Sequence, residues 1–209
     1  MRAELLTTAP RPSGWGAGSK VVDAYGFLIP VFRGQHGEHD NWAETRLGSL
    51  SFGTREAAST YALRPNRRDD TVIAAKVFPV FLDIRNPLVN QQHAFLDLDQ
   101  FEDIFGPAQA RRVAVKFADY IYGTNPWAEV RDGFESIEQL AASEPKLLRE
   151  MYFELYPLLD DAEEVAFLRQ HGFDGAIYAG SGANAMQPEY RVFSATQVRS
   201  IWDTSFVPC

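Results

Sequence analysis

The apolar and polar positions of this chain fall into three zones. In the first, Tyr25 to Phe32 is almost continuously apolar and stops at Arg33-Gly34. A short apolar run closed by turn residues predicts a buried strand. A polar loop follows through His39 and Asn41, and Leu50-Ser51-Phe52 predicts a second, short strand. Thr54 to Ala62 opens with a capping residue and is rich in helix formers, so it predicts a short helix. Val77, Val80, Phe81, Leu82 and Ile84 predict a long strand within Val72 to Asn86, stopped by Asn86-Pro87.

The middle zone, about Phe95 to His171, reads as helical. Arg111 to Tyr122 places apolar side chains near helical spacing, and Glu135 to Ala142 and Lys146 to Leu155 repeat the pattern. A last helix over Asp161 to Leu168 has Asp160 as its expected cap and Gly172 as its stop. The third zone returns to strands, at Gly175 to Ala179, Glu189 to Phe193 and Val198 to Trp202, with a mobile loop expected from Gly180 to Ala185. Strands at both ends with helices between them predict an α+β fold. Residues 1 to 20 hold Pro10, Pro12, Gly14, Gly16 and Gly18 and read as a flexible lead-in, leaving 21 to 209 as a single domain.

Composition narrows the function classes. The chain has 209 residues, 45% hydrophobic and 23% charged, a normal balance for one globular core. Its net charge of −8 is uneven, because Ala94 to His171 holds sixteen Asp and Glu against seven Lys and Arg. An acidic chain has no electrostatic reason to bind a polyanion along its whole surface. The one cysteine, Cys209, permits no internal disulfide and no cysteine-based metal cage. There is no apolar run of the ~18 residues that a membrane span needs, and the start lacks a secretory pattern. These features predict a cytoplasmic protein, or one delivered into a target cytosol by another route, with no membrane partner.

Three separated blocks resemble the ADP-ribosyltransferase superfamily, in the order that superfamily uses. Val31-Phe32-Arg33-Gly34 resembles the strand ending in Arg-Gly or His-Gly. Leu50-Ser51-Phe52-Gly53-Thr54, with Ala57-Ala58-Ser59-Thr60-Tyr61, resembles the strand followed by a helix carrying Tyr. Pro188-Glu189-Tyr190-Arg191-Val192-Phe193, followed by Gln197 to Ile201, resembles the strand with the catalytic Glu. Pro79 to Leu88 and Gly172 to Ile177 are similar to segments in the transferase domains of phage-type polyvalent proteins. The resemblance spans about Val31 to Trp202, and the helical middle matches least.

The resemblance implies a split β-sheet core with an NAD cleft and a helical insertion at about 94–171. It implies a mono-ADP-ribosyltransferase, a toxin or effector among other settings, that cleaves the nicotinamide–ribose bond of NAD and releases nicotinamide. Glu189 matches the catalytic position, where a carboxylate stabilises the oxocarbenium character of the transition state. Arg33 matches a residue that contacts the NAD phosphates or the ribose bearing them, a task suited to its planar fork. Ser51 matches the Ser that orients the Glu in the Arg-Ser-Glu subclass, although Ser51-Phe52-Gly53 departs from the usual Ser-Thr-Ser. Gly34 is implied to let the backbone approach the nicotinamide amide. Phe52 and Tyr61 are candidates to stack on the nicotinamide ring, with core packing the plainer alternative.

Gln187 matches an acceptor-recognition position. A neutral amide there points to an acceptor other than arginine, a protein side chain or a nucleic-acid base. An NAD glycohydrolase and a catalytically silent module of the same fold stay open as alternatives. His36, Glu38, His39 and Asp40 could be read as metal ligands, but they lie in a loop without further His or Cys support, so no metal is expected.

Overall fold

The structure is a computed structural model and describes residues 14–36, 47–64, 74–90, 93–180 and 187–205. The start of the expected lead-in, the loop through His39 and Asn41, the loop after Gly180 and the C-terminal Cys209 lie outside the described residues.

The fold is mixed α+β. Its strands are β1 (Val31–Gln35), β2 (Leu50–Gly53), β3 (Lys76–Leu82), β4 (Pro87–Asn90), β5 (Phe95–Asp97), β6 (Tyr152–Glu154), β7 (Gly175–Ala179), β8 (Pro188–Val192) and β9 (Val198–Ser200). Seven of them form one sheet in the order β4-β7-β8-β2-β1-β3-β9, and β5 pairs with β6 separately. Where two sheets are expected, one bonded sheet is found. Its halves, β4-β7-β8-β2 and β1-β3-β9, meet at a single register pair, Phe32 opposite Gly53. The β1–β3 and β7–β8 ladders hold five pairs each, so the β1–β2 junction is the weak seam.

Side chains alternate across the sheet and divide two cores between its faces. On β7, Ala176 and Tyr178 belong to the core shared with the helical segment, while Ile177 belongs to the other, with Leu50, Phe52, Leu82 and Val192. The register carries this division to β8 and β2. Glu189 lies opposite Tyr178 and Gly53, and Arg191 lies opposite Ala176 and Ser51. Ser51, Tyr178, Glu189 and Arg191 therefore share the face that the helices cover.

The expected helix after β2 is α1 (Arg55–Ala62), capped by Thr54, whose side chain accepts from the Ala57 amide. It lies close on β1 because its inner face is Ala57, Ala58 and Ala62 and because Gly34 has no side chain. A Cβ on Gly34 would stand 1.9 Å from the Ala58 carbonyl oxygen.

The middle zone contains α2 (Leu98–Phe105), α3 (Pro107–Lys116), α4 (Ala118–Ile121), α5 (Asn125–Val130), α6 (Ile137–Ser143), α7 (Pro145–Leu148), α8 (Tyr156–Leu159) and α9 (Ala162–Gln170). It is not wholly helical, since β5 opens it and β6 interrupts it between α7 and α8. The helix expected over Lys146 to Leu155 is α7 followed by β6, with Leu98 N bonded to the Met151 carbonyl at the turn between them. The cap of α9 is Asp161, whose carboxylate accepts from the Glu163 and Glu164 amides, and not the expected Asp160.

Two strand expectations shift. The apolar run from Tyr25 does not enter the sheet until Val31. Asp23 accepts from the Tyr25 and Phe27 amides, and Gly26 takes φ 89°, so the chain turns there and leaves Tyr25 87% exposed. The strand expected to run through Ile84 to a stop at Asn86-Pro87 ends earlier, at Leu82, and Pro87 opens β4, which runs parallel to β7. The described part of the lead-in docks on the sheet. Ser19 Oγ donates to the Leu82 carbonyl at 2.8 Å, and the Trp15 indole donates to the Thr196 carbonyl at 3.2 Å.

Among the described residues no helix is long and apolar enough to cross a membrane.

Candidate active site

A cleft of about 570 Å³ opens over the seam between β1 and β2, within the roughly 300–1,000 Å³ usual for ligand pockets. Arg33 and Gly34 come to it from β1, Ser51 from β2, Tyr61 from α1, and Gln187 and Glu189 from the start of β8. The helical segment closes it with Glu154, Tyr156 and Asp160. All the candidate residues read from the sequence thus touch one cavity, but they do so in different ways.

Glu189 is held from two directions. Ser51 Oγ donates to its Oε1 at 2.9 Å, and Arg191 Nε donates to the same oxygen at 2.7 Å. No hydrogen bond from the described residues reaches Oε2. Gly53, directly opposite on β2, puts no side chain beside the carboxylate. Oε1 is thus anchored twice, on a residue that lines the cleft.

Arg191 was not singled out by the sequence, yet it organises the site. Besides Glu189 it reaches Asp160 Oδ1 at 2.5 Å and Ser49 Oγ at 3.2 Å, both from Nη1. Ser49 Oγ in turn donates to the Leu159 carbonyl at 2.6 Å, which hooks the end of α8 to the sheet. Burial on its own would lower the Arg191 pKa, but Tyr178, Glu189 and Asp160 more than reverse this and hold the guanidinium charged. Burial pushes the Tyr178 phenol up, so it stays neutral beside the pair, and its hydroxyl makes no hydrogen bond of regular geometry. The available signal for Arg191 was its place two residues after Glu189, on the same face of a strand.

Arg33 reaches across the seam. Its Nη1 donates to the Ser51 carbonyl at 3.1 Å, and its guanidinium lies 5.8 Å from the centre of the Phe52 ring. Its Nε is buried with no hydrogen-bond partner. Burial lowers its pKa, Tyr61 opposes this, and the positive charge of Arg191 adds to the lowering. A cation with an orphaned donor at a cleft wall is suited to an anionic ligand.

One expected role changes, and a second residue has a packing reason of its own. Phe52 does not face the ligand side, because alternation turns it to the opposite face with Tyr190 and Ile177, where it is 2% exposed. The absent side chain of Gly34 is required by the Ala58 carbonyl, which accounts for that glycine without a ligand. Tyr61 remains accessible, 44% exposed, with Arg64 5.2 Å from its ring centre and the His36 ring at 5.3 Å. Gln187 is fixed rather than free. Thr54 Oγ1 donates to its side-chain oxygen, and its backbone carbonyl accepts from Gly180 N at 2.7 Å, closing the loop between them. Its amide nitrogen is the group left to meet an acceptor.

Among the described residues no group of three or more His, Cys, Asp or Glu is placed to hold a metal ion. Compared with family models, with curated proteins and with solved structures, the chain matches none.

Proposed function

We propose that the cleft binds NAD, cleaves its nicotinamide–ribose bond and passes ADP-ribose to a macromolecular acceptor. The observation that carries this reading is the Ser51–Glu189 hydrogen bond inside a cleft that Arg33 also lines. These three residues come from separate strands, and they are the set singled out by resemblance to ADP-ribosyltransferases.

The chemistry follows from the charges. Breaking the bond leaves positive charge on the ribose, and a preorganised carboxylate stabilises that charge most when nothing must rearrange to meet it. Glu189 is preorganised through Oε1, and Oε2 is open to a ribose hydroxyl. Arg33 brings its fixed positive charge to the cleft wall, where it suits a phosphate. Tyr61 is the accessible ring for stacking. Gln187, tied to Thr54, presents an uncharged amide and favours a neutral acceptor over arginine.

The test is incubation of the protein with labelled NAD and a cell lysate. Nicotinamide release with label on a macromolecule supports transfer. Release with label only in free ADP-ribose means that water is the acceptor. No release removes the reading.

A further inference from the structure

We propose that Asp160, in the helical segment, is a positioning residue that acts through Arg191, so that Glu189 is held in place without its negative charge being cancelled by the guanidinium. Its kinetic consequence rests on the NAD-cleaving reading, but its electrostatic consequence does not.

Two demands on Glu189 conflict. A buried guanidinium bonded to a single carboxylate orients that carboxylate well, at 2.7 Å in this case, but cancels its charge. A Glu paired in this way would be a poor stabiliser of developing positive charge. Arg191, however, also bonds Asp160 on its far side, at 2.5 Å. The set Glu189, Arg191 and Asp160 carries one net negative charge, and Glu189 is its member with an open oxygen. Ser49 holds the end of α8 by the Leu159 carbonyl, which fixes the backbone beside Asp160 next to Arg191.

The charged and titratable surroundings are few. Glu189 faces Arg191 on its own strand and Tyr178 on β7, and Ser51 donates to it from β2. Arg191 faces Tyr178 and Asp160, and Arg33 on β1 acts on it through space. Glu154 and Tyr156 lie on the same cleft wall as Asp160. Removing the Asp160 charge leaves Arg191 to Glu189 alone.

The experiment follows the Glu189 carboxyl carbon by NMR through an acid titration, in the full-length protein and in Asp160→Asn. With the second carboxylate gone, Glu189 is expected to lose its proton at lower pH than in the wild type. Nicotinamide release from NAD is measured on the same samples. The expected change is a fall in kcat on the order of tenfold, the scale of one charge acting through a protein interior, with KM for NAD little altered. A purely structural Asp160 would move the melting temperature without moving the Glu189 midpoint. An unmoved or raised midpoint overturns the inference, whatever the substrate. A lowered midpoint in a protein that never releases nicotinamide supports the inference and sinks the NAD reading instead. If the Asn variant does not fold, Asp160→Glu keeps the charge and is expected to titrate like the wild type. A folded Asp160→Glu protein with a lowered Glu189 midpoint overturns the inference.

Discussion

Ser51 and Glu189 are 138 positions apart in the chain, and the hydroxyl of one donates to the carboxylate of the other at 2.9 Å. The bond is diagonal across neighbouring strands, since Ser51 stands directly opposite Arg191 and Gly53 opposite Glu189. Antiparallel pairing of β2 with β8 is therefore what brings the two together. Ser51→Ala removes one of the two donors on Oε1 and leaves Arg191 to hold the carboxylate. A single hydrogen bond to a charged group contributes about 1.5–3 kcal/mol, so kcat for nicotinamide release is expected to fall on the order of tenfold. Steady-state kinetics with an unchanged kcat would show that Arg191 alone suffices.

Among the described residues Arg33 Nη1 donates to one backbone carbonyl, and the buried Nε has no partner. Arg33→Ala is expected to weaken NAD binding, and Arg33→Lys to restore it only in part, because an ammonium cannot supply a planar pair of donors. Calorimetric titration of the folded variants decides this. Equal affinity in all three proteins would remove Arg33 from phosphate binding.

Gly34 is a packing residue by its geometry. In Gly34→Ala the new methyl would meet the Ala58 oxygen at 1.9 Å and the Ala58 carbonyl carbon at 2.8 Å, both backbone atoms of α1. Overpacking of this kind costs about 1–3 kcal/mol or more, a fall of several degrees in melting temperature for a chain of this size. A melting curve that coincides with the wild type would mean that α1 shifts off β1 without penalty.

Away from the cleft, Glu164 is buried on α9 and receives both guanidinium nitrogens of Arg112, at 2.5 and 2.7 Å, and the Lys116 ammonium at 2.9 Å. Burial on its own would raise its pKa, but the hydrogen bonds from Arg112 and Lys116 hold the carboxyl below the ordinary 4.5. A depressed carboxylate adds stability that is present above the unfolded pKa and lost as pH falls through the folded one. Stability is therefore expected to drop below about pH 4.5, and Glu164→Gln should flatten that acid slope. Arg112 and Lys116 remain partly exposed, so the neutral-pH cost of the substitution is put at about 1–3 kcal/mol, below that of breaking a fully buried pair. Urea unfolding of both proteins between pH 3 and pH 7 measures both effects. Parallel pH dependences would contradict the assignment.

Much of the frame was legible because local signals agreed with the fold. Thr54 followed by Arg-Glu-Ala-Ala marked α1 to within a residue, and Gly175 to Ala179 marked β7. The failures have physical causes. Tyr25 and Phe27 are apolar, but the Asp23 carboxylate and Gly26 together force a turn that an apolar count does not register. The strand β6 has three residues, too few to display a period of two inside a zone of helical spacing. Phe52 follows Ser51 directly, and only the pairing register tells which of the two faces the cleft. Asp160 and Arg191 were least legible. Their contact joins residues 31 positions apart, and Asp160 stands where a helix cap is expected because Asp161, beside it, is the cap.

In the proposed function, Glu189 is the charge that makes this cleft an NAD-cleaving site. Glu189→Gln keeps the size of the side chain and an oxygen for Ser51 to donate to, and it removes the negative charge. Nicotinamide release from labelled NAD, measured for the wild type and this variant at matched folding, is the decisive measurement. Turnover by the wild type is expected, with a loss of about a hundredfold or more in the variant and NAD still bound. Equal turnover in the two proteins, or none in either, would contradict this role of Glu189.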